Sequence, residues 1–126
     1  MNKKVFISYA AKDGTYANLL ARTLKKMGID AFTLNDSLTP GEEWEERIRK
    51  ELEESAAVIA LISDNWTQSK YAATEYGAAY VLGKKIIPVV IDEIKNEIPI
   101  NIYRFITVDA KNDDLESVAH LVEEAL

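Results

Sequence analysis

The chain of 126 residues has no cysteine and a single histidine, His120. The first absence excludes disulfides, thiolate metal sites and thiol nucleophiles, and it suits a reducing cytoplasm. The second leaves no material for a histidine-rich metal centre, and a Ser-His-Asp triad finds no nucleophile near His120 in sequence. Glycine is scarce as well. Its five residues form neither G-x-G-x-x-G nor a Walker A loop, so no phosphate cradle of the ordinary kind is present. The opening MNKKVFISYA carries too short an apolar run for a signal peptide or a membrane span. Positive charge is in deficit, with 15 Lys and Arg against 21 Asp and Glu. The net charge of −6 disfavours a nucleic-acid backbone or an anionic membrane as partner. A cytoplasmic protein with no metal and no resident cofactor is expected.

What is present is a chain that is 48% hydrophobic, enough to bury one core as a single domain over residues 1–126. Its apolar pattern alternates between strands and helices. Val5 to Ser8 reads as a strand, and Tyr16, Leu19, Leu20, Thr23, Leu24 and Met27 mark a helix closed by Gly28. Ile29 to Leu34 reads as a second strand. After a loop from Asn35 to Gly41, Trp44, Ile48, Leu52 and Ser55 or Ala56 carry a second helix. Val58 to Ile62 and Ile86 to Ile91 are continuous apolar runs suited to buried parallel strands, which need helices on both faces. Phe105 to Val108 reads as a last strand, and Leu115, Val118, Ala119 and Val122 as a last helix. The prediction is an α/β domain with a doubly wound, five-stranded parallel sheet. No repeat or linker divides it. The last helix runs into Leu126 without a stop signal, an ending that suits the N-terminal part of a longer protein.

In such folds ligands bind at the carboxyl ends of the strands, near the point where strand order reverses. A phospho-acceptor receiver would want paired acids after the first strand, where Ser8 and Tyr9 stand instead; Asp64 is a lone acid suited to loop or cap chemistry. The informative segment is SKYAATEYGAAYVLG. Read as a helix from Ser69 to Leu82, it aligns Ala72, Glu75, Tyr76, Ala79 and Leu82 on one face, so a carboxylate sits within an apolar stripe. Tyr71 lies one turn earlier and is placed to border the same cleft as Glu75. The plainer alternative pairs Glu75 with Lys70, Lys84 or Lys85 at the edge of the core. Phe32 and Leu34, at the end of the second strand, line either the pocket mouth or the core. Trp44 reads as packing beneath the loop, Asp13-Gly14 as a turn or cap, Ser69 as an N-cap, and the acidic run from Glu42 to Glu46 as a solvated helix start.

VFISYAAKD, the LNDSLTPGEEW loop and helix entry, and ALISDNW followed by SKYAATEYGAAYVLGKKIIPVVID together resemble a Toll/interleukin-1 receptor (TIR) domain of bacterial type. The likeness covers nearly the whole chain and implies a flavodoxin-like fold. It implies a role for Glu75 too, because NAD-cleaving members use a glutamate on the helix after the third strand, usually with an aromatic four positions earlier. By that likeness Glu75 is the catalytic residue and Tyr71 a substrate-binding candidate; Ser8, Tyr9, Phe32 and Leu34, at the ends of the first two strands, are the further substrate-binding candidates. The implied activity is an NAD⁺ glycohydrolase releasing nicotinamide and ADP-ribose or a cyclic ADP-ribose. The implied partners are NAD⁺ and other TIR domains, the latter through an assembly loop containing Asp36, Ser37, Leu38, Pro40 and Gly41. A downstream sensor domain and a role in anti-phage defence belong to the same expectation. Two other readings stand beside it: a non-catalytic TIR interaction module, and a nucleoside deoxyribosyltransferase, against which LNDSLTPGEEW speaks.

Overall fold

The computed structural model describes residues 3–33, 41, 43–95 and 107–126, with the backbone alone at positions 44, 70, 71 and 73. Strand β1 (Lys3–Ser8) leads through a 3-10 turn (Ala11–Asp13) into α1 (Gly14–Lys26), and β2 (Ile29–Phe32) follows. Next come α2 (Trp44–Glu54), β3 (Ala57–Ile62), α3 (Asp64–Gln68) and α4 (Lys70–Val81). The chain finishes with β4 (Lys85–Val90), β5 (Val108–Asp109) and α5 (Leu115–Ala125). The five strands form one sheet in the order β2-β1-β3-β4-β5, and every neighbouring pair is parallel. The expected doubly wound sheet is therefore present. Its order reverses at β1, which has β2 on one side and β3 on the other.

Each face of the sheet carries its own core. Val5 and Ile7 of β1 pack with Ala17, Leu20 and Leu24 of α1 and with Val118 and Val122 of α5. Phe6 packs on the other face with Ile48 and Leu52 of α2, Trp66 of α3, and Ala72, Tyr76 and Ala79 of α4. The two-residue period of a strand does this sorting, sending alternate side chains to opposite layers. β3 is buried along its whole length, as its uninterrupted apolar run requires between two helical layers.

Local signals fix the helix ends. At the end of α4 the amide of Lys84 donates to the Ala79 carbonyl (3.0 Å) and that of Gly83 to the Tyr80 carbonyl (3.1 Å). Gly83 makes this closure with φ of 68°, a left-handed conformation that costs glycine little. Lys84 then donates from Nζ to the carbonyls of Glu53 (2.8 Å) and Ser55 (2.9 Å), neutralising the exposed C-terminus of α2. At the same end of the sheet, Lys4 Nζ meets Glu51 (2.7 Å) and Glu54 (2.8 Å) of that helix, and both carboxylates raise the Lys4 pKa.

Three sequence expectations need correction, and a fourth falls mostly outside the described residues. The stretch after β3, read as a loop, contains helix α3, because Ser63 and Ser69 each cap a separate helix. β2 ends at Phe32 and Thr33 follows it outside the strand, so the second strand is shorter than Ile29 to Leu34. Leu19 and Leu82, assigned to buried stripes, are 41% and 46% exposed. Ala17 and Ala21 fill the α1 interface in place of Leu19, and Leu82 is the cap residue where α4 already turns away. β5 is Val108–Asp109, and most of the expected Phe105 to Val108 strand lies outside the described residues.

Candidate active site at the carboxyl edge of the sheet

Ser8 is the last residue of β1 and lies at the reversal of strand order, beside β3. Strand alternation puts it on the α4 side of the sheet, like Phe6 two residues earlier. β3 ends at Ile62, and Ser63 immediately caps α3 by accepting the amide of Trp66 on its Oγ (3.0 Å). Ser69 repeats the device for α4, accepting the amide of Ala72 (3.2 Å). The two caps fold the chain back over the strand ends and bring Trp66 and Glu75 against Ser8. Trp66 is 2% exposed, and its ring meets that of Tyr76 edge-on at 6.0 Å between centroids.

These side chains form a short hydrogen-bond chain. Trp66 Nε1 donates to Ser8 Oγ (3.2 Å), and Ser8 Oγ donates to Glu75 Oε1 (3.2 Å). Glu75 is 5% exposed. Burial pushes its carboxyl from the ordinary 4.5 up to about 7, and the Ser8 hydrogen bond offsets only part of that rise. The lysine pairing that would have made Glu75 a structural residue is absent for two of its three candidates. Lys84 is held by the end of α2, and Lys85 Nζ donates to the Ala125 carbonyl at 2.6 Å. The side chain of Lys70 lies outside the described residues.

A second set of polar contacts flanks the first. Asp13, at the start of α1, makes no side-chain cap to its own helix. Its carboxylate instead accepts Ser63 Oγ at 2.5 Å and Asn65 Nδ2 at 3.3 Å. The loop after β1 is thereby tied to the loop after β3, across the edge where Glu75 lies. Asp64 is also a loop anchor, accepting the Lys95 amide at 2.7 Å.

Of the residues singled out from sequence, the structure brings Ser8 and Glu75 together. Phe32 shares their side of the sheet, stacked on Phe6 (5.3 Å) with the Arg47 guanidinium 5.4 Å from its ring centre, a packed position. Tyr9 is not brought to Glu75: it belongs to the core cluster on the other face, because adjacent strand-end residues point to opposite sides. The Tyr71 side chain, Leu34, Asp36, Ser37, Leu38 and Pro40 lie outside the described residues. Gly41 is seen as a backbone turn with φ of 86°. Sequence reasoning missed Trp66. Its signal is that a buried indole needs a partner for its N–H, and a serine ending the neighbouring strand supplies one. Among the described residues no group of three His, Cys, Asp or Glu side chains is placed to hold a metal ion. No helix among them is long and apolar enough to cross a membrane. A buried carboxyl raised to about 7 can accept a proton, or stabilise positive charge developing on a nearby carbon.

A family model described as TIR domain matches residues 5–122. The chain is 33% identical over 91 residues to the probable 2′ cyclic ADP-D-ribose synthase BdTIR of Brachypodium distachyon, covering 71% of this chain and 41% of that protein. It therefore spans about two fifths of that relative's length. Among solved structures, the TIR domain of the Toll-related receptor TRR-2 from Hydra magnipapillata is similar at a TM-score of 0.78 and 24% identity. That likeness covers 96% of this chain and 94% of the receptor domain. The CMP N-glycosidase BcmB of Clostridium botulinum is similar at 0.67 and 18% identity, covering 98% of this chain and 100% of the other. At these identities the two structures show a shared fold.

Proposed function

Because the chain belongs to the TIR domain family, we propose that it is an NAD⁺ glycohydrolase in which Glu75 acts on the bond between nicotinamide and ribose. One observation carries the reading: Glu75 is buried at the strand-order reversal and is held by Ser8 with no lysine among its described partners. The name of the Brachypodium relative, a probable cyclic ADP-D-ribose synthase, supports the substrate class.

The chemistry asks for little more. When the glycosidic bond breaks, its electron pair goes to the nicotinamide nitrogen and neutralises the pyridinium, so the leaving group needs no general acid. Positive charge develops on the ribose carbon and ring oxygen, and the ionised Glu75 stabilises it. Water attack then gives ADP-ribose and releases a proton; attack by another oxygen or nitrogen of the same molecule gives a cyclic product. In this reading Tyr71 stacks on a planar ring of the substrate, and Phe32 backs the crevice without touching it. The loop from Asp36 to Gly41 completes the site of a neighbouring copy, so activity rises with self-association. A sensor domain beyond Leu126 and a cytoplasmic role in anti-phage defence complete the proposal.

The experiment is NAD⁺ turnover followed by chromatography at high protein concentration, with and without a crowding agent, for wild type, Glu75→Ala and Glu75→Gln. Turnover that disappears in both variants is the expected result, and the product peak separates linear from cyclic ADP-ribose. No turnover in folded, assembled wild-type protein would favour a non-catalytic interaction module. Release of base from a nucleoside in place of NAD⁺ would favour the deoxyribosyltransferase reading.

A further inference from the structure

We propose that Trp66 is a positioning residue: it fixes the direction of the hydrogen-bond chain that ends on Glu75 and so makes Oε2 the working oxygen of that carboxyl. An indole N–H donates and never accepts. With Trp66 Nε1 at 3.2 Å from Ser8 Oγ, the serine oxygen is the acceptor of that contact. The serine hydroxyl has one proton of its own, and its other contact is Glu75 Oε1 at 3.2 Å. The proton is therefore directed onto Oε1. An oxygen receiving a proton from Ser8 cannot point one back along the same line. When Glu75 is neutral its proton sits on Oε2, and when it is ionised Oε1 remains anchored. Oε2 takes no hydrogen bond from the described residues, and on this proposal it is the oxygen that meets a substrate.

The identity of residue 66 matters to this device. A tyrosine hydroxyl in the same place both donates and accepts, so it would leave the serine free to turn either way. Phenylalanine would leave it with no donor at all. The described charged groups on the elements around the chain are engaged elsewhere or exposed. Arg47 and Lys4 are engaged with Glu51, Lys4 also with Glu54, and Arg49 with Glu46. Lys84 and Lys85 bind carbonyls, and Asp64 binds the Lys95 amide. Lys3, Glu43, Glu45, Lys50 and Glu53 are exposed. What moves the Glu75 carboxyl is burial, then Ser8. Assigning work to Oε2 rests on the glycohydrolase reading, whereas the direction of the chain does not.

The test follows the Glu75 carboxyl carbon and the Trp66 indole N–H by NMR across a pH titration of wild type, Trp66→Phe, Ser8→Ala and the double variant. In wild type the indole resonance is expected to move with the Glu75 midpoint, near 7. Ser8→Ala is expected to raise that midpoint by about one unit, and Trp66→Phe by roughly half a unit, since Ser8 then loses its obligation to donate. The double variant should match Ser8→Ala, because Trp66 acts through the serine. An indole resonance that stays flat through the Glu75 transition overturns the proposal, and so do shifts that add in the double variant. A Trp66→Phe protein that melts earlier without moving the midpoint assigns Trp66 to packing alone and also overturns it. Should that variant fail to fold, the wild-type indole titration decides. The measurement needs no turnover, so a broken chain with intact NAD⁺ cleavage sinks this inference alone. An intact chain without cleavage sinks the glycohydrolase instead.

Discussion

Replacing Glu75 with glutamine should make the folded protein more stable above about pH 4.5, increasingly up to about pH 7 and by a constant amount beyond it. The folded-state carboxyl titrates near 7 against an ordinary 4.5, so between those values the folded chain holds a proton that the unfolded chain has released. The sign follows from that. Stability associated with Glu75 is fully present below about pH 4.5 and is lost as pH rises through about 7. Between about 4.5 and 7, at about 1.4 kcal/mol per unit of pH, the loss totals about 3 kcal/mol. Because Glu75 is 5% exposed, little of that is relieved by solvent. Glutamine keeps an oxygen to accept the Ser8 hydroxyl and carries no charge at any pH. Urea unfolding followed by tryptophan fluorescence should therefore give nearly equal stabilities near pH 4.5. Near pH 8 the variant should be ahead by about 3 kcal/mol, or roughly 10 °C in Tm for a domain of this size. Titrations elsewhere, such as the lowered carboxyls of Glu54 and Asp114, are common to both proteins and cancel in the difference. A stability difference independent of pH, or a variant that is weaker at pH 8, would refute the account of Glu75 as a buried carboxyl without a compensating cation.

In the glycohydrolase reading the same titration sets the rate: if the ionised carboxylate stabilises the transition state, kcat/KM for NAD⁺ should climb with pH and level off above about 7. Glu75→Gln should lose roughly 100-fold or more across the range, and a profile flat from pH 5 to pH 8 in wild type would contradict it. Asp13→Ala leaves Ser63 and Asn65 without their carboxylate and should cost about 1–2 kcal/mol in urea unfolding; no loss would mean that water replaces both contacts. Gly83→Ala forces a side chain onto a φ of 68° and should cost about 1–2 kcal/mol, although nothing lies within 4 Å of the new Cβ. Gly77→Ala, in the interior of α4 with the same open space, should stabilise by roughly 0.5–1 kcal/mol, so the pair separates backbone strain from crowding in one set of thermal melts.

The sheet was legible in the sequence because buried parallel strands leave continuous apolar runs, and β3 and β4 are such runs. Glu75 was legible for the opposite reason: a carboxylate on an apolar helical face is an exception that periodicity exposes. Side-chain direction at the ends of elements was harder to read. Leu82 continues the helical stripe on paper, yet it is the residue at which α4 closes, and it faces solvent. Ser8 and Tyr9 were grouped by adjacency, when the strand period sends them to opposite faces of the sheet. Trp66 and Asp13 stayed hidden because their meaning depends on partners 58 and 50 residues away, Ser8 for the indole and Ser63 for the carboxylate. Taken singly, a capping serine, a core tryptophan and a serine at a strand end are ordinary. What makes them a candidate site is that the caps on α3 and α4 bring Trp66 and Glu75 against the end of β1, where Ser8 gives the acid a neutral donor. A neutral donor leaves the carboxyl near its transition at neutral pH, whereas a lysine in the same place would hold it ionised and quench its response to a substrate's developing charge.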